Sequence, residues 1–330
     1  MARGRRSRAT GPAGHRWLAA LLLGLSAMVA VASACGGSSE SSGGQFSRVI
    51  PLGEGDTFPE IANRTLAVGE NRFVLLLLDQ ENSPVLGAQV HLAFFDLNGD
   101  EPRPGPETDA RTIQIARSFT HTHVDDTVES HHAGETAFYI AQVDFDAAGR
   151  WGVEITGTLN GSELDSIPFQ FDVLDKSPEP AIGDPAPPTR QLTLADAGIA
   201  EIDSAVTPRR HMHDTTVADA IAEDKPVVVT FASPAFCVTR ICGPVMDTVI
   251  DPLHEKYGGE ATFIHIEPYK LKELREGIDR MFVKAMEEWS LRTEPWVFVI
   301  DRQGKIAGKF EGIVALDEVE GVLRQLLGEG

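Results

Sequence analysis

The stretch KPVVVTFASPAFCVTRICGPV (225–245) decides how the second half of this chain folds. KPVVVTF (225–231) is a continuous β-branched apolar run, the pattern of a strand buried on both faces. A loop follows, then Cys237 and Cys242, then a segment that predicts a helix from about Cys242 to Tyr257. In regular helix, residues five apart have Cα atoms about 8.7 Å apart, whereas a disulfide needs less than about 7 Å. Both Cys therefore cannot lie inside regular helix and still bridge. Pro244 locates the helix start, because proline is tolerated in a first turn and breaks a bond when interior. A helix beginning near Cys242 places that thiol where free N–H groups and the helix dipole stabilise a thiolate. Cys237 then lies in the loop, able to close a small ring, and Arg240 between them is placed to lower a thiol pKa further.

Downstream, ATFIHIE (261–267) reads as a second strand and LKELREGIDRMFVKAMEEW (271–289) as a second helix. WVFVID (296–301) and KIAGKFEG (305–312) read as a hairpin, and LDEVEGVLRQLL (316–327) as a closing helix. Residues 191–330 thus form one α/β domain ordered β-α-β-α-β-β-α.

Residues 46–175 differ in character. RFVLLLLD (72–79), AQVHLAFFDL (88–97), RTIQIARSF (111–119), TAFYIAQVDF (136–145), RWGVEITGTL (150–159) and PFQFDVLD (168–175) are strand-like runs parted mostly by turn residues. They predict an all-β sandwich. Between the halves, DKSPEPAIGDPAPPTR (175–190) contains five prolines, so residues 176–190 read as a stiff extended linker. The fold class expected is therefore multidomain, an N-terminal all-β sandwich followed by an α/β domain.

Residues 1–34 carry Arg3, Arg5, Arg6, Arg8 and Arg16 and an apolar run from Trp17 to Ala34, the parts of an export signal peptide. Cys35 follows Ala32-Ser33-Ala34 and opens a Ser/Gly-rich flexible tether, 35–45. Export places the remainder outside the cytoplasm, where disulfides persist. The chain of 330 residues carries 29 basic and 49 acidic residues, a net charge of -20. Such acidity disfavours phosphate backbones and excludes nucleic acid as an expected partner. Three Cys are too few for a disulfide scaffold or a Cys-rich zinc fold. No phosphate-cradling glycine loop, HExxH or Ser-His-Asp order supports a nucleotide or hydrolase reading.

Three resemblances add to this. Ala32-Ser33-Ala34-Cys35 resembles the lipobox of bacterial lipoproteins, with Ala32 where Leu is usual. The resemblance implies lipidation of Cys35 and anchoring to the cell membrane. FDAAGRWGVEITG (145–157) looks like the late strands of YtkA-like, Ig-like modules, which implies that Trp151 points into the core between sheets. Cys242-Gly243-Pro244 matches the CGP of the thioredoxin active site, with Val245 where the second Cys would be. FASPAFC (231–237) echoes the approach to that site, and the element order is that of the thioredoxin core. Cys237 and Cys242 thus compete for one family position. The helix-start argument favours Cys242 as the activated thiol and Cys237 as its partner, and the reverse stays open.

The thioredoxin resemblance also makes Pro295, in Thr293-Glu294-Pro295, the family's cis-proline beside the Cys pair, and so Pro295 and Glu294 substrate-side residues. Where the family has a buried Asp, this chain has Thr230, and Glu267 reads as an exposed strand end. The activity implied is thiol–disulfide exchange on exported proteins with thiols or disulfides, with Cys237 and Cys242 as the catalytic pair and no cofactor required. One alternative is copper binding, since thioredoxin-like Sco proteins deliver copper through two Cys and a His, and soft thiolates suit Cu(I). His211 and His213, on one side of an extended HMH segment, are the ligand candidates there. A second alternative is an inert brace. Peroxide reduction ranks lower, since Thr239 and Arg240 are not in the peroxidase arrangement. The cluster HTHVDDTVESHH (121–132), with His121 and His123, reads first as a solvated loop and otherwise as a transition-metal site.

Overall fold

A computed structural model describes residues 57–122 and 128–329, and the side chains of 117–133 lie outside that description. The expected signal peptide and tether, Cys35 and His123 therefore fall outside the described residues, as does the side chain of His121. Among the described residues, no helix is long and apolar enough to cross a membrane.

The N-terminal half builds two antiparallel sheets. One contains β1 (Thr57–Ile61), β2 (Gly69–Asp79), β6 (Val128–Phe145) and β5 (Arg111–Thr122) in that order. The other runs β4 (Arg103–Asp109), β3 (Gln89–Asp96), β7 (Gly149–Leu159), β8 (Ser162–Glu163), with β9 (Ile167–Val173) also paired to β7. Phe73, Leu75, Leu77, Tyr139 and Phe145 from the first sheet meet Leu92, Phe94, Trp151 and Val153 from the second in one apolar core. Trp151 is fully buried there, its ring 4.9 Å from that of Phe145 and its Nε1 donating to the Ala147 carbonyl at 2.9 Å. Strand β4 has two prolines, which a sheet edge tolerates because one side of the strand needs no partner.

The C-terminal half is a mixed sheet in the order β11 (Thr262–Ile266), β10 (Val227–Phe231), β12 (Trp296–Ile300), β13 (Ile306–Glu311). Strand β10 pairs parallel to β11 and antiparallel to β12, and every residue of β10 and β12 is buried. Short helices α1 (Ile199–Ile202) and α2 (Val217–Ala220) precede the sheet strands, and α7 (Leu316–Leu327) closes the chain.

The helix expected from Cys242 begins there, but it is not uniform. It runs as α3 (Cys242–Val245), a π-helical stretch (Met246–Ile250) and α4 (Asp251–Tyr257). Pro252 is the physical reason: it cannot donate to the carbonyl four residues back and its ring crowds that oxygen, which a wider turn relieves.

The single helix expected over 271–289 is a correction. Two short helices, α5 (Leu271–Arg275) and α6 (Lys284–Glu288), stand in its place. Gly277 adopts φ +78°, the left-handed conformation that ends helices, and the chain then doubles back. Lys270 N–H bonds the Met281 carbonyl, Val283 N–H the Pro268 carbonyl, and the Tyr269 and Phe282 rings stack 5.5 Å apart.

The Pro-rich segment is extended, and it is also paired. Gly183 N–H donates to Ile306 O, Ile306 N–H to Asp184 O, and Ala186 N–H to Gly304 O, so the segment covers the free edge of β13. The two halves share a second apolar cluster: Val74, Ile113, Phe138 and Ile140, on the outer face of the first sheet, pack with residues including Val245, Ile250, Val314 and Val319. The guanidinium of Arg72 on β2 holds the Glu318 carboxylate of α7 through two hydrogen bonds, 2.6 and 2.9 Å.

Candidate functional site

The end of β10 delivers the chain into a tight loop. The Ser233 carbonyl accepts the N–H groups of Phe236 (3.2 Å) and Cys237 (2.9 Å), and Arg240 sits at φ +59°. Cys237 and Cys242 are joined in a disulfide with Cα atoms 6.0 Å apart. Cys242 is the first residue of α3, and Pro244 takes a first-turn position, where its missing N–H has no helical partner to lose. Cys237 lies in the loop, with the Thr239 hydroxyl 3.2 Å from its sulfur. The two differ in accessibility: Cys242 has no exposed surface, while Cys237 retains 9%. Val238, immediately beside the bridge, is 65% exposed.

The Glu294–Pro295 peptide bond is cis and leads into β12. The Glu294 carboxylate and both sulfurs lie within 4.8 Å of one another. Burial raises the Glu294 pKa, opposed by hydrogen bonds from the Tyr269 hydroxyl and the Val238 N–H. Tyr269 is in turn pushed up, first by burial and then by the adjacent Glu294. The segment is fixed from beneath, since Thr293 Oγ1 donates to Glu311 Oε1 at 3.0 Å and accepts from Trp296 Nε1 at 3.0 Å. On the other side, a groove of about 720 Å³ passes the start of α3, lined by Val206, Pro234 and Pro244 together with Arg209, Asp247 and Asp251.

Glu267 is not the exposed strand end expected; it is 4% exposed. Its Oε2 accepts the Ser204 N–H at 3.1 Å, its carboxylate also bonds Ser233, and Oε1 has no partner. Burial pushes its pKa up to about 7. Since Ser233 also holds the Cys237 N–H, one serine touches both the carboxylate and the cysteine loop. Thr230 is fully buried on β10 with its hydroxyl unpartnered.

The histidines proposed as copper ligands do not share a face. Arg210–Met212 forms a 3-10 turn rather than an extended segment, which turns the two imidazoles apart. His211 lies against His254, ring centroids 4.1 Å apart. His213 is buried beside Asp203 and His265. Among the described residues, the third donor within reach of both sulfurs is the Glu294 carboxylate, a hard oxygen ill matched to Cu(I).

Asp203 and His265 were not anticipated from sequence. Asp203 Oδ2 stands 3.3 Å from His213 Nε2 and 3.6 Å from His265 Nδ1. Burial opposes the Asp203 charge, but the two imidazoles beside it hold the carboxyl well below the usual carboxylate range. The one sequence signal was His265 itself, a polar residue in the apolar run ATFIHIE. No family model matches the chain, and no curated protein matches it.

Proposed function

We propose that this protein is a thiol–disulfide oxidoreductase of thioredoxin-like fold, working outside the cytoplasm. The observation that carries the reading is the pairing of a loop cysteine with a helix-opening cysteine beside the cis Glu294–Pro295 segment. Ordinary bracing explains it less well, because a ring of so few residues restricts the unfolded chain little. An Ig-like sandwich presents this domain, and a lipid on Cys35 with the 35–45 tether holds the whole at the cell membrane.

Accessibility favours Cys237 as the sulfur that meets the substrate. In the dithiol form its thiolate attacks a substrate disulfide, forming one mixed disulfide and releasing one substrate thiolate. Cys242, whose thiolate the helix N-terminus stabilises, then attacks the Cys237 sulfur of that mixed disulfide. The second substrate thiolate leaves, Cys237 and Cys242 become the disulfide, and the substrate gains the two electrons. The same steps in reverse oxidise a substrate dithiol. Glu294 is positioned to take and return the thiol proton, exposed Val238 offers apolar surface to an extended chain, and the groove beside α3, which Arg209, Asp247 and Asp251 also line, offers charged partners to it. The copper alternative is less well supported, since the donor completing the pair's surroundings is a carboxylate rather than an imidazole.

The test is a trap. Cys242→Ser protein is incubated with a disulfide-containing peptide and examined by intact mass under denaturing, non-reducing conditions. A stable adduct on Cys237, absent from the Cys237→Ser protein, supports the assignment. Adducts on neither variant overturn the proposed exchange.

A further inference from the structure

Asp203, His213 and His265 come from three separate elements: the end of α1, the segment after the 3-10 turn, and β11. Their candidate ligand atoms lie within 4.8 Å of one another, and all three side chains are 2% exposed or less. The Asp203 separations of 3.3 and 3.6 Å are longer than charge-assisted N–H···O bonds, about 2.7–2.9 Å. The 3.3 Å separation matches the edge of a tetrahedron around an ion with bonds of about 2.0–2.1 Å, which is about 3.3–3.4 Å, and the 3.6 Å separation is slightly longer.

The surroundings prepare each ligand. His265 Nε2 is 2.8 Å from the Ala232 carbonyl, an acceptor only, so Nε2 carries the proton. In the neutral ring Nδ1 then presents its lone pair towards Asp203, and that fully buried atom has no hydrogen-bond partner. A ligating imidazole held through its other nitrogen by a carbonyl is a recurrent feature of metal sites. The carboxylate is likewise held: Oδ1 accepts the Ala205 N–H and Oδ2 the Arg209 N–H, both at 2.8 Å. His213, His265 and Glu267 line a cavity of about 490 Å³ beside the cluster.

We propose that Asp203, His213 and His265 bind one divalent first-row transition-metal ion of the zinc class. Two imidazoles and a carboxylate suit such an ion and, lacking thiolate, do not suit Cu(I). The site is separate from the Cys237–Cys242 pair and stands or falls independently of thiol exchange.

The experiment uses the full chain carrying Cys35→Ser, Cys237→Ser and Cys242→Ser, with His121, His123, His131 and His132 changed to Gln, so that neither thiols nor the histidine-rich segment contribute. After chelator treatment it is titrated with Co(II), and metal content, visible absorption and Tm are recorded. About one Co(II) per chain, the visible absorption of a four-coordinate nitrogen–oxygen site and a raised Tm are expected. The same titration of chains further carrying Asp203→Asn or His265→Gln should lose all three signals. No uptake by the parent chain, or uptake that survives both substitutions, overturns the site. Should either variant fail to fold, the parent chain further carrying His211→Gln and His254→Gln decides: uptake that persists without that pair supports the site, and uptake lost with it overturns the site.

Discussion

The carboxylate of Glu294 lies within 4.8 Å of both Cys237 and Cys242 sulfurs, while accepting hydrogen bonds from Tyr269 and the N–H of Val238. A half-buried carboxyl beside a thiol pair resists ionisation, and so can hold the proton that a thiol gives up. Glu294→Gln keeps the shape and removes the titration. The account predicts a fall in exchange rate of about 10²-fold near pH 7, the low end of what positioned proton transfer contributes. The rate should also lose one pH-dependent limb, whereas a merely structural Glu294 would leave the profile's shape unchanged. Stopped-flow reduction of a peptide disulfide across pH checks both.

Val238 exposes 65% of its surface next to the bridge and packs against little. Its replacement by Asp should change stability by no more than about 0.5 kcal/mol. Repulsion and lost apolar contact should instead raise KM for an acidic peptide disulfide more than for a basic one. Equal KM values for the two peptides would remove Val238 from the substrate surface.

Arg72 and Glu318 form a nearly buried bidentate pair between β2 and α7, with side chains 8% and 12% exposed. Removing one partner leaves the other charge stranded, so Arg72→Ala should cost about 3–5 kcal/mol. The double change Arg72→Met with Glu318→Leu should recover most of that loss. Denaturant melts of the three variants measure the coupling, and a double variant no better than the singles contradicts it.

Glu311 is raised by burial to about 7, against an ordinary 4.5, while accepting the Arg64 N–H and the Thr293 hydroxyl. Between those two values the folded chain holds a proton that the unfolded chain releases. Stability is therefore greatest below pH 4.5 as far as this group is concerned, and is lost as pH rises through 7. The loss is on the order of 3 kcal/mol. Glu311→Gln should flatten that part of the stability–pH curve relative to the parent, and an unchanged difference between the two curves from pH 4.5 to pH 8 would contradict it.

Much of this was written locally. The strand before the cysteines and the helix start at Cys242 follow from run length and proline chemistry, while the buried Trp151 was implied by the resemblance of FDAAGRWGVEITG (145–157) to Ig-like modules. What escaped depends on distant partners. RFVLLLLD lacks alternation because Phe73, Leu75 and Leu77 face the opposite sheet while Val74 faces the C-terminal half. The apolar spacing over 271–289 suggested one helix, but Gly277 and the Tyr269–Phe282 stack outweighed it. Glu267 reads as a strand end in one dimension and is covered by Ser204 and Ser233 in three. Asp203 and His213 are ten residues apart in the chain and His265 is far from both, so their meeting was not legible until β11 was placed.

Counting free thiols on the native full chain across a glutathione series, by rapid alkylation and intact mass, tests the central claim most directly. The account predicts that two thiols appear together, reversibly, with the far-ultraviolet spectrum and Tm-defined fold intact. A Cys237–Cys242 bridge that opens only when the protein is unfolded would contradict it.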